Sequence, residues 1–323
     1  MGKLLQSAMN FYNSGKVGGL KTNYSPKVSV VIPIYYPYHI DAVMDWTCKN
    51  NKFYELILVD DTGDDSFTLG SLSGCDAIIA KHNYNLGRPA ARNTGAALAS
   101  GDVIVFMDQD MLLSPDFALV AANLIAENGG KGIALGLRET VAYDFYLEHG
   151  FCPGKTSNKD WRVETKLLDS FIDLTVCGVG KINNNCDPGE TLKIYEKTSR
   201  LELMGIEPSK TIGFWDLPSM VISHSMAISR EEFFRIGGFP EWISGWGGED
   251  IILGFAAIAG GNPIIMTDKV SLQIQHPPYS GSEMAKMREL SGNISKYRKW
   301  AHNADYLKMA DVGYYKSRVR VIN

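Results

Sequence analysis

Short apolar runs alternate along the chain with stretches of helical spacing. Val28-Ser29-Val30-Val31-Ile32-Pro33 is β-branched and stopped by proline, the pattern of a buried strand entering a loop. Leu56-Ile57-Leu58-Val59, Ala77-Ile78-Ile79-Ala80 and Val103-Ile104-Val105-Phe106-Met107 repeat it. Helices are expected between them over 39–51 and 88–99, then over 115–128, before a strand near 132–137. This alternation predicts an α/β fold with a mostly parallel central sheet flanked by helices. Regularity lapses over 138–212, where some helix is expected around 164–174 and 190–204. It returns with a strand at 225–228, a short helix at 230–236, an apolar helix at 251–258 and strands at 262–266 and 270–274. Residues 283–307 read as an amphipathic helical region rich in Lys, Arg and Met, packed against the rest.

Composition narrows the class. A chain of 323 residues with 45% hydrophobic content can bury a large core. Its net charge of −4 gives no reason to expect a nucleic-acid partner. The cysteines (Cys48, Cys75, Cys152, Cys177, Cys186) are odd in number and lack CxxC spacing, which argues against a disulfide scaffold and a zinc site and favours a reducing, cytoplasmic setting. Residues 1–23 lack the apolar core of a signal peptide, and no transmembrane segment is expected; peripheral membrane contact stays open.

Candidate chemistry collects at the strand ends. In a parallel α/β sheet, ligands bind beyond the carboxyl ends of the strands. Asp60, Asp61, Asp108 and Asp110 all fall there. Asp108-Gln109-Asp110 projects two carboxylates to one side of an extended segment, where they repel unless a cation or proton relieves them. Hard oxygen ligands of this kind suit Mn2+ or Mg2+. Arg88 and Arg92 follow the turn Asn85-Leu86-Gly87 and are placed to pair with phosphate or with the aspartates. The stretch Gly245-Trp246-Gly247-Gly248-Glu249-Asp250 ends in two carboxylates at a helix start. It reads equally as a ligand loop or as acidic helix capping. His276, before two prolines, is either structural or a further metal ligand.

Taken together, Val28–Pro33, Val59-Asp60-Asp61, Asn85-Leu86-Gly87 with Ala91-Arg92-Asn93-Thr94-Gly95, and Asp108-Gln109-Asp110 resemble the family 2 glycosyltransferases of the GT-A fold. Residues 227–250 are similar to the C-terminal half shared by β-1,4-galactosyltransferases, polypeptide GalNAc-transferases and chondroitin-polymerase domains. The resemblance implies an N-terminal arm (1–26), a GT-A domain (27–280) and a C-terminal helical tail (281–323). Within the domain it implies a nucleotide-binding half (27–137), an irregular insertion shaping the acceptor site (138–212) and an acceptor and catalytic half (213–280).

The same resemblance implies a metal-dependent transferase using a UDP-sugar donor of galactose, N-acetylhexosamine or glucose type. Pro33 and Tyr35 would line the base pocket, with Asp60 or Asp61 bonding the base. Arg88 or Arg92 would lie near base or phosphates. Asp108 would face ribose or metal, and Asp110 and His276 would complete the Mn2+ or Mg2+ site. Trp246 and Gly247 would border donor sugar and acceptor, Glu249 would hold a sugar hydroxyl, and Asp250 would be the general base of an inverting single displacement. The acceptor would be a glycan, a peptide or a small molecule, with Trp215 and 138–212 as candidate contacts.

One departure is Thr62, where the family's Asp-Asp-Gly-Ser turn has Gly. Two other readings compete: a retaining GalNAc-transferase-like enzyme, and a non-catalytic sugar-nucleotide-binding module. A nucleotidyltransferase is disfavoured, because Ile34-Tyr35-Tyr36-Pro37-Tyr38 carries no Gly-rich basic loop.

Overall fold

The computed structural model of the chain describes residues 25–35, 37–63, 77–155, 160, 220–260, 262–275, 283–301 and 310–322. The expected helices at 164–174 and 190–204, together with Trp215 and His276, lie outside these residues.

The elements follow in chain order. They are β1 (Val28–Ile34), α1 (Ile40–Asn50), β2 (Glu55–Asp60), β3 (Ala77–His82), α2 (Arg88–Leu98), β4 (Val103–Met107), β5 (Met111–Leu112), α3 (Phe117–Glu127), β6 (Ile133–Val141) and α4 (Tyr143–His149). Then come β7 (Ser225–Ser229), α5 (Arg230–Arg235), α6 (Glu249–Ala259), β8 (Ile264–Ile274), α7 (Glu283–Ala301), α8 (Val312–Ser317) and β9 (Val319–Ile322).

The strands form one nine-stranded sheet in the order β5-β8-β6-β7-β4-β1-β2-β3-β9. The block β3-β2-β1-β4 is parallel, as the strand-helix alternation requires, and β6 also pairs parallel with β8. Strand β7 runs antiparallel between β4 and β6. Apolar clusters cover both faces of the sheet, so β1 and β4 are buried along their whole length. Helix α2 lies directly on the sheet. A Cβ built on Gly95 would come within 2.3 Å of Val31 Cγ1, so only glycine permits this approach.

Three features depart from the sequence expectations. The strands expected at 262–266 and 270–274 are one strand, β8, whose pairing with β6 shifts register between Leu135 and Leu137. The polar Thr267-Asp268-Lys269 imitates a turn, yet it is carried through the irregularity. The tail, expected to be helical, ends in β9, which pairs antiparallel with β3 at the sheet edge. Cys48 on α1 is disulfide-bonded, although cysteine spacing suggested no pairing; Cys152 carries a free thiol. No helix among the described residues is long and apolar enough to cross a membrane.

Candidate active site

The end of β4, helix α2 and the start of α6 meet around one buried guanidinium. Arg92 is 1% exposed. Its Nη2 donates to Asp108 Oδ1 at 2.8 Å and its Nη1 to Glu249 Oε1 at 3.2 Å. Nη1 also stands 3.7 Å from Asp250 Oδ1, and the guanidinium lies 5.2 Å from the Phe239 ring centre. Arg88, one turn earlier and more exposed, reaches Glu249 Oε1 at 3.4 Å. Helix α2 has no acidic residue in its first turn, so both arginines meet their carboxylates across the fold.

The three carboxylates respond differently. Burial pushes Asp108 upward, but Arg92 and Arg88 outweigh it and hold its pKa below the ordinary range. Glu249 is likewise opposed by burial and held low by Arg88 and Arg92. Asp250 goes the other way: burial, reinforced by the charge of neighbouring Glu249, raises it to about 6 despite Arg92 and Ser223. Arg92 itself is raised, because the carboxylates overcome the cost of its burial. Asp250 Oδ1, Ser223 Oγ and Arg92 Nε are buried with no partner at full hydrogen-bond geometry, although Ser223 lies close enough to Asp250 to lower it. Buried polar atoms of this kind call for a partner.

At the end of β4, Asp108 spends Oδ1 on Arg92, and Gln109 Oε1 accepts from the Tyr35 backbone N–H at 2.8 Å. Asp110 is buried, and its Oδ2 accepts from Gln273 Nε2 at 2.7 Å. The two-residue β5 sets this contact by pairing with Leu272 and Gln273. Two carboxylates at one strand end are a hard-oxygen donor set, and the described residues offer Asp108 Oδ2 no hydrogen bond. The chemistry fits a divalent cation completed by phosphate oxygens and water.

The adjacent aspartates at the end of β2 serve a different purpose. Asp61 accepts from His82 Nδ1, Leu86 N and Gly87 N, each at 2.8 Å, and from Asn85 Nδ2 at 3.2 Å. Its carboxylate is therefore spent inside the protein, shaping the 85–87 loop that starts α2. Asp60 Oδ1 accepts from Thr62 N at 2.9 Å and Thr62 Oγ1 at 2.7 Å, while Lys81 Nζ lies 3.7 Å from Oδ2. The altered turn is thus sound: Thr62 closes it and Gly63 takes the positive φ, 77°. Pro33 is within β1, and Tyr35 follows it, 38% exposed.

In the 245–248 loop, Gly245, Gly247 and Gly248 have φ of 77°, 81° and 99°, which L side chains rarely adopt. Helix α7 fastens the loop: Glu289 Oε2 accepts from Trp246 N at 2.7 Å, and Asn293 Nδ2 donates to Gly247 O at 2.7 Å. Trp242 and Trp246 remain exposed beside it. Sequence reasoning missed Ser223, His224, Gln109 and Gln273. His224 is fully buried, its Nδ1 lies 2.8 Å from Ser225 Oγ, and it helps hold Asp108 low. Polar residues abutting an apolar strand were the available signal for Ser223 and His224.

A sheet of this order, with an Asp-x-Asp turn beyond β4 and paired carboxylates opening α6, is that of the GT-A glycosyltransferases. The chain carries a family 2 glycosyltransferase domain. Residues 29–180 match the family described as Glycosyl transferase family 2, and residues 220–254 match the N-terminal domain of galactosyltransferase.

Among its relatives is validoxylamine A glucosyltransferase of Streptomyces hygroscopicus subsp. limoneus, 26% identical over 85% of this chain and 57% of that protein. An uncharacterized glycosyltransferase of Bacillus subtilis, YfnE, is 26% identical over 83% of this chain and 69% of its own length. A crystal structure of GalNAc-T7 with UDP, GalNAc and Mn2+ superposes with a TM-score of 0.53 at 14% identity, covering 92% of this chain and 54% of that one. That last likeness is one of fold. The chain spans about three-fifths of the length of the validoxylamine A glucosyltransferases, 57% and 61%.

Proposed function

We propose that the chain transfers a sugar from a UDP-sugar to an acceptor hydroxyl with inversion, Asp250 acting as general base. The observation that carries this reading is the contrast within the carboxylate pair opening α6. Glu249 is held below the ordinary carboxylate range by Arg88 and Arg92, whereas Asp250 is raised to about 6 and has a buried Oδ1 outside hydrogen-bond distance of Arg92. A base poised near the working pH, with Arg92 Nη1 held at 3.7 Å from its Oδ1 and outside hydrogen-bond distance, suits proton abstraction from an incoming hydroxyl. The acceptor oxygen bonds to the anomeric carbon, the bond from that carbon to the diphosphate breaks, and the hydroxyl proton passes to Asp250. Attack opposite the leaving diphosphate inverts the centre.

Arg92 holds Asp108 and Glu249 in place. Asp108 and Asp110, with His276, would hold Mn2+ or Mg2+, which when bound neutralises charge growing on the diphosphate. Pro33, Tyr35 and Asp60 border the base, while Asp61 shapes the 85–87 loop rather than touching ligand. Trp246 and Gly247 border sugar and acceptor, and Glu249 takes a sugar hydroxyl. Validoxylamine A glucosyltransferase supports a glucose donor and a small-molecule acceptor; galactose and N-acetylhexosamine donors compete, as do glycan and peptide acceptors.

The test is Asp250→Asn assayed against a panel of UDP-sugars with Mn2+. Transfer should fall by about 10²–10⁴-fold while UDP binding persists. Undiminished transfer would remove Asp250 from the role. A product keeping the donor's α configuration would instead favour the retaining alternative.

A further inference from the structure

The last strand reaches into the scaffold behind the site. Arg318, between α8 and β9, chelates Glu241 with both terminal nitrogens, Nη1 to Oε2 at 2.5 Å and Nη2 to Oε1 at 2.7 Å. Nη2 also donates to Ala90 O at 2.9 Å, and Nε to Thr94 Oγ1 at 3.1 Å. Glu241 Oε1 accepts in turn from Asn93 Nδ2 at 2.8 Å. Asn93 is bonded to Phe239 in both directions, at 2.9 Å each way, and Phe239 lies against Arg92.

A second branch runs from Thr94 Oγ1 to His82 Nε2 at 2.9 Å, and from His82 Nδ1 to Asp61 at 2.8 Å. The Arg318 Nε–H must donate to the Thr94 hydroxyl. That hydroxyl can then donate to Nε2, leaving Nδ1–H for Asp61, so the branch is satisfied with neutral histidine.

Arg318 therefore touches helix α2, which carries Arg88 and Arg92, and the 239–241 segment, which leads into the 245–250 loop. These belong to the two halves of the site. A guanidinium can bind a carboxylate in fork geometry and keep a donor for a third group; an ammonium cannot. The seat is prepared by Tyr315, buried in the core, and by Tyr314 and Tyr315, whose ring centres lie 5.2 Å and 4.8 Å from the guanidinium carbon.

We propose that Arg318 is a positioning residue for the transfer reaction, bracing α2 against the 239–241 segment so that Arg92 and the carboxylates opening α6 keep their geometry. The proposal rests on the transferase reading and names no contact between Arg318 and substrate.

The experiment compares the full chain with Arg318→Ala, Arg318→Lys and, as a milder change, Glu241→Gln. Steady-state transfer and hydrogen exchange of the 237–248 amides are measured for each. In folded Arg318→Ala, kcat should fall by roughly 10²-fold, the loss a small misplacement brings. Donor KM should stay within about three-fold of wild type, because no binding group is removed. Exchange over 237–248 should quicken, Arg318→Lys should not restore kcat, and added ethylguanidinium should restore part of it for Arg318→Ala. Glu241→Gln should shift kcat and exchange in the same direction by less.

Unchanged kcat in folded Arg318→Ala, or unchanged exchange over 237–248, would overturn the proposal. So would a loss of rate that merely tracks the unfolded fraction. Wild-type protein that transfers no sugar would overturn the transferase reading itself, and exchange over 237–248 would still decide whether Arg318 braces the loop.

Discussion

Asp250 Oδ1 stands 3.7 Å from Arg92 Nη1, within reach of its charge and outside hydrogen-bond distance. Asp108, by contrast, takes a hydrogen bond of 2.8 Å from the same guanidinium. Arg92, helped by Arg88, thus holds Asp108 below the ordinary carboxylate range, while burial leaves Asp250 raised to about 6.

The first consequence is kinetic. If Asp250 is the base, kcat should climb about tenfold per pH unit below its pKa of about 6 and level off above it. A pH series on wild type and Asp250→Asn checks this. The limb should vanish in the variant, and a wild-type profile flat from about pH 5 to 8 would remove Asp250 from the rate equation.

The second consequence is thermodynamic. The folded value of about 6 exceeds the ordinary 3.8, so between the two the native chain binds more protons here than the unfolded chain. Stability therefore falls as pH rises through that window, and the penalty is complete above about 6. Asp250→Asn should accordingly raise the melting temperature at about pH 7.5 and leave it nearly unchanged at about pH 4. Calorimetry at the two pH values reads the difference, and a lower melting temperature at the higher pH would contradict it.

Arg92 should matter most for stability. Arg92→Met leaves Asp108, Glu249 and Asp250 facing one another without the guanidinium between them, and removing one partner from a buried ion network costs about 3–5 kcal/mol. Urea unfolding should show that loss. Arg92→Lys should recover only part of it, since one ammonium cannot reproduce both hydrogen-bonded contacts.

Gln273 offers a test of the cation site from outside the proposed ligands. It fixes Asp110 by a 2.7 Å hydrogen bond. Gln273→Leu should weaken Mn2+ affinity, measured calorimetrically with UDP present, by about 10–100-fold. Wild-type UDP binding indifferent to chelator would dispose of the metal proposal.

Much of this was legible in the sequence, because the parallel strands are continuous apolar runs and their carboxyl ends carry the acidic residues. Position alone, however, could not separate Asp60 from Asp61. Their difference lies in the backbone N–H groups of Leu86 and Gly87, distant in sequence from both. Strand β9 escaped notice because four residues, Val-Arg-Val-Ile, carry too little pattern to stand out from a basic helical tail. Arg318 and Glu241 are isolated charges with no motif around them, and only the fold makes them neighbours. Ser223 and His224 became visible once β7 was seen to bring them to the edge of the site.

The absent methyl group at Gly95 has a reach beyond packing. Val31 leaves no room for a Cβ there, so the smallest side chain on α2 sets how deeply that helix sits. Depth in turn sets the distance from Arg92, three residues earlier on the same helix, to the acids it serves across the fold. The charge balance of the site is thus calibrated by a residue that has neither charge nor polarity, and steric clearance at β1 is converted into electrical potential at the opposite end of the helix's grip.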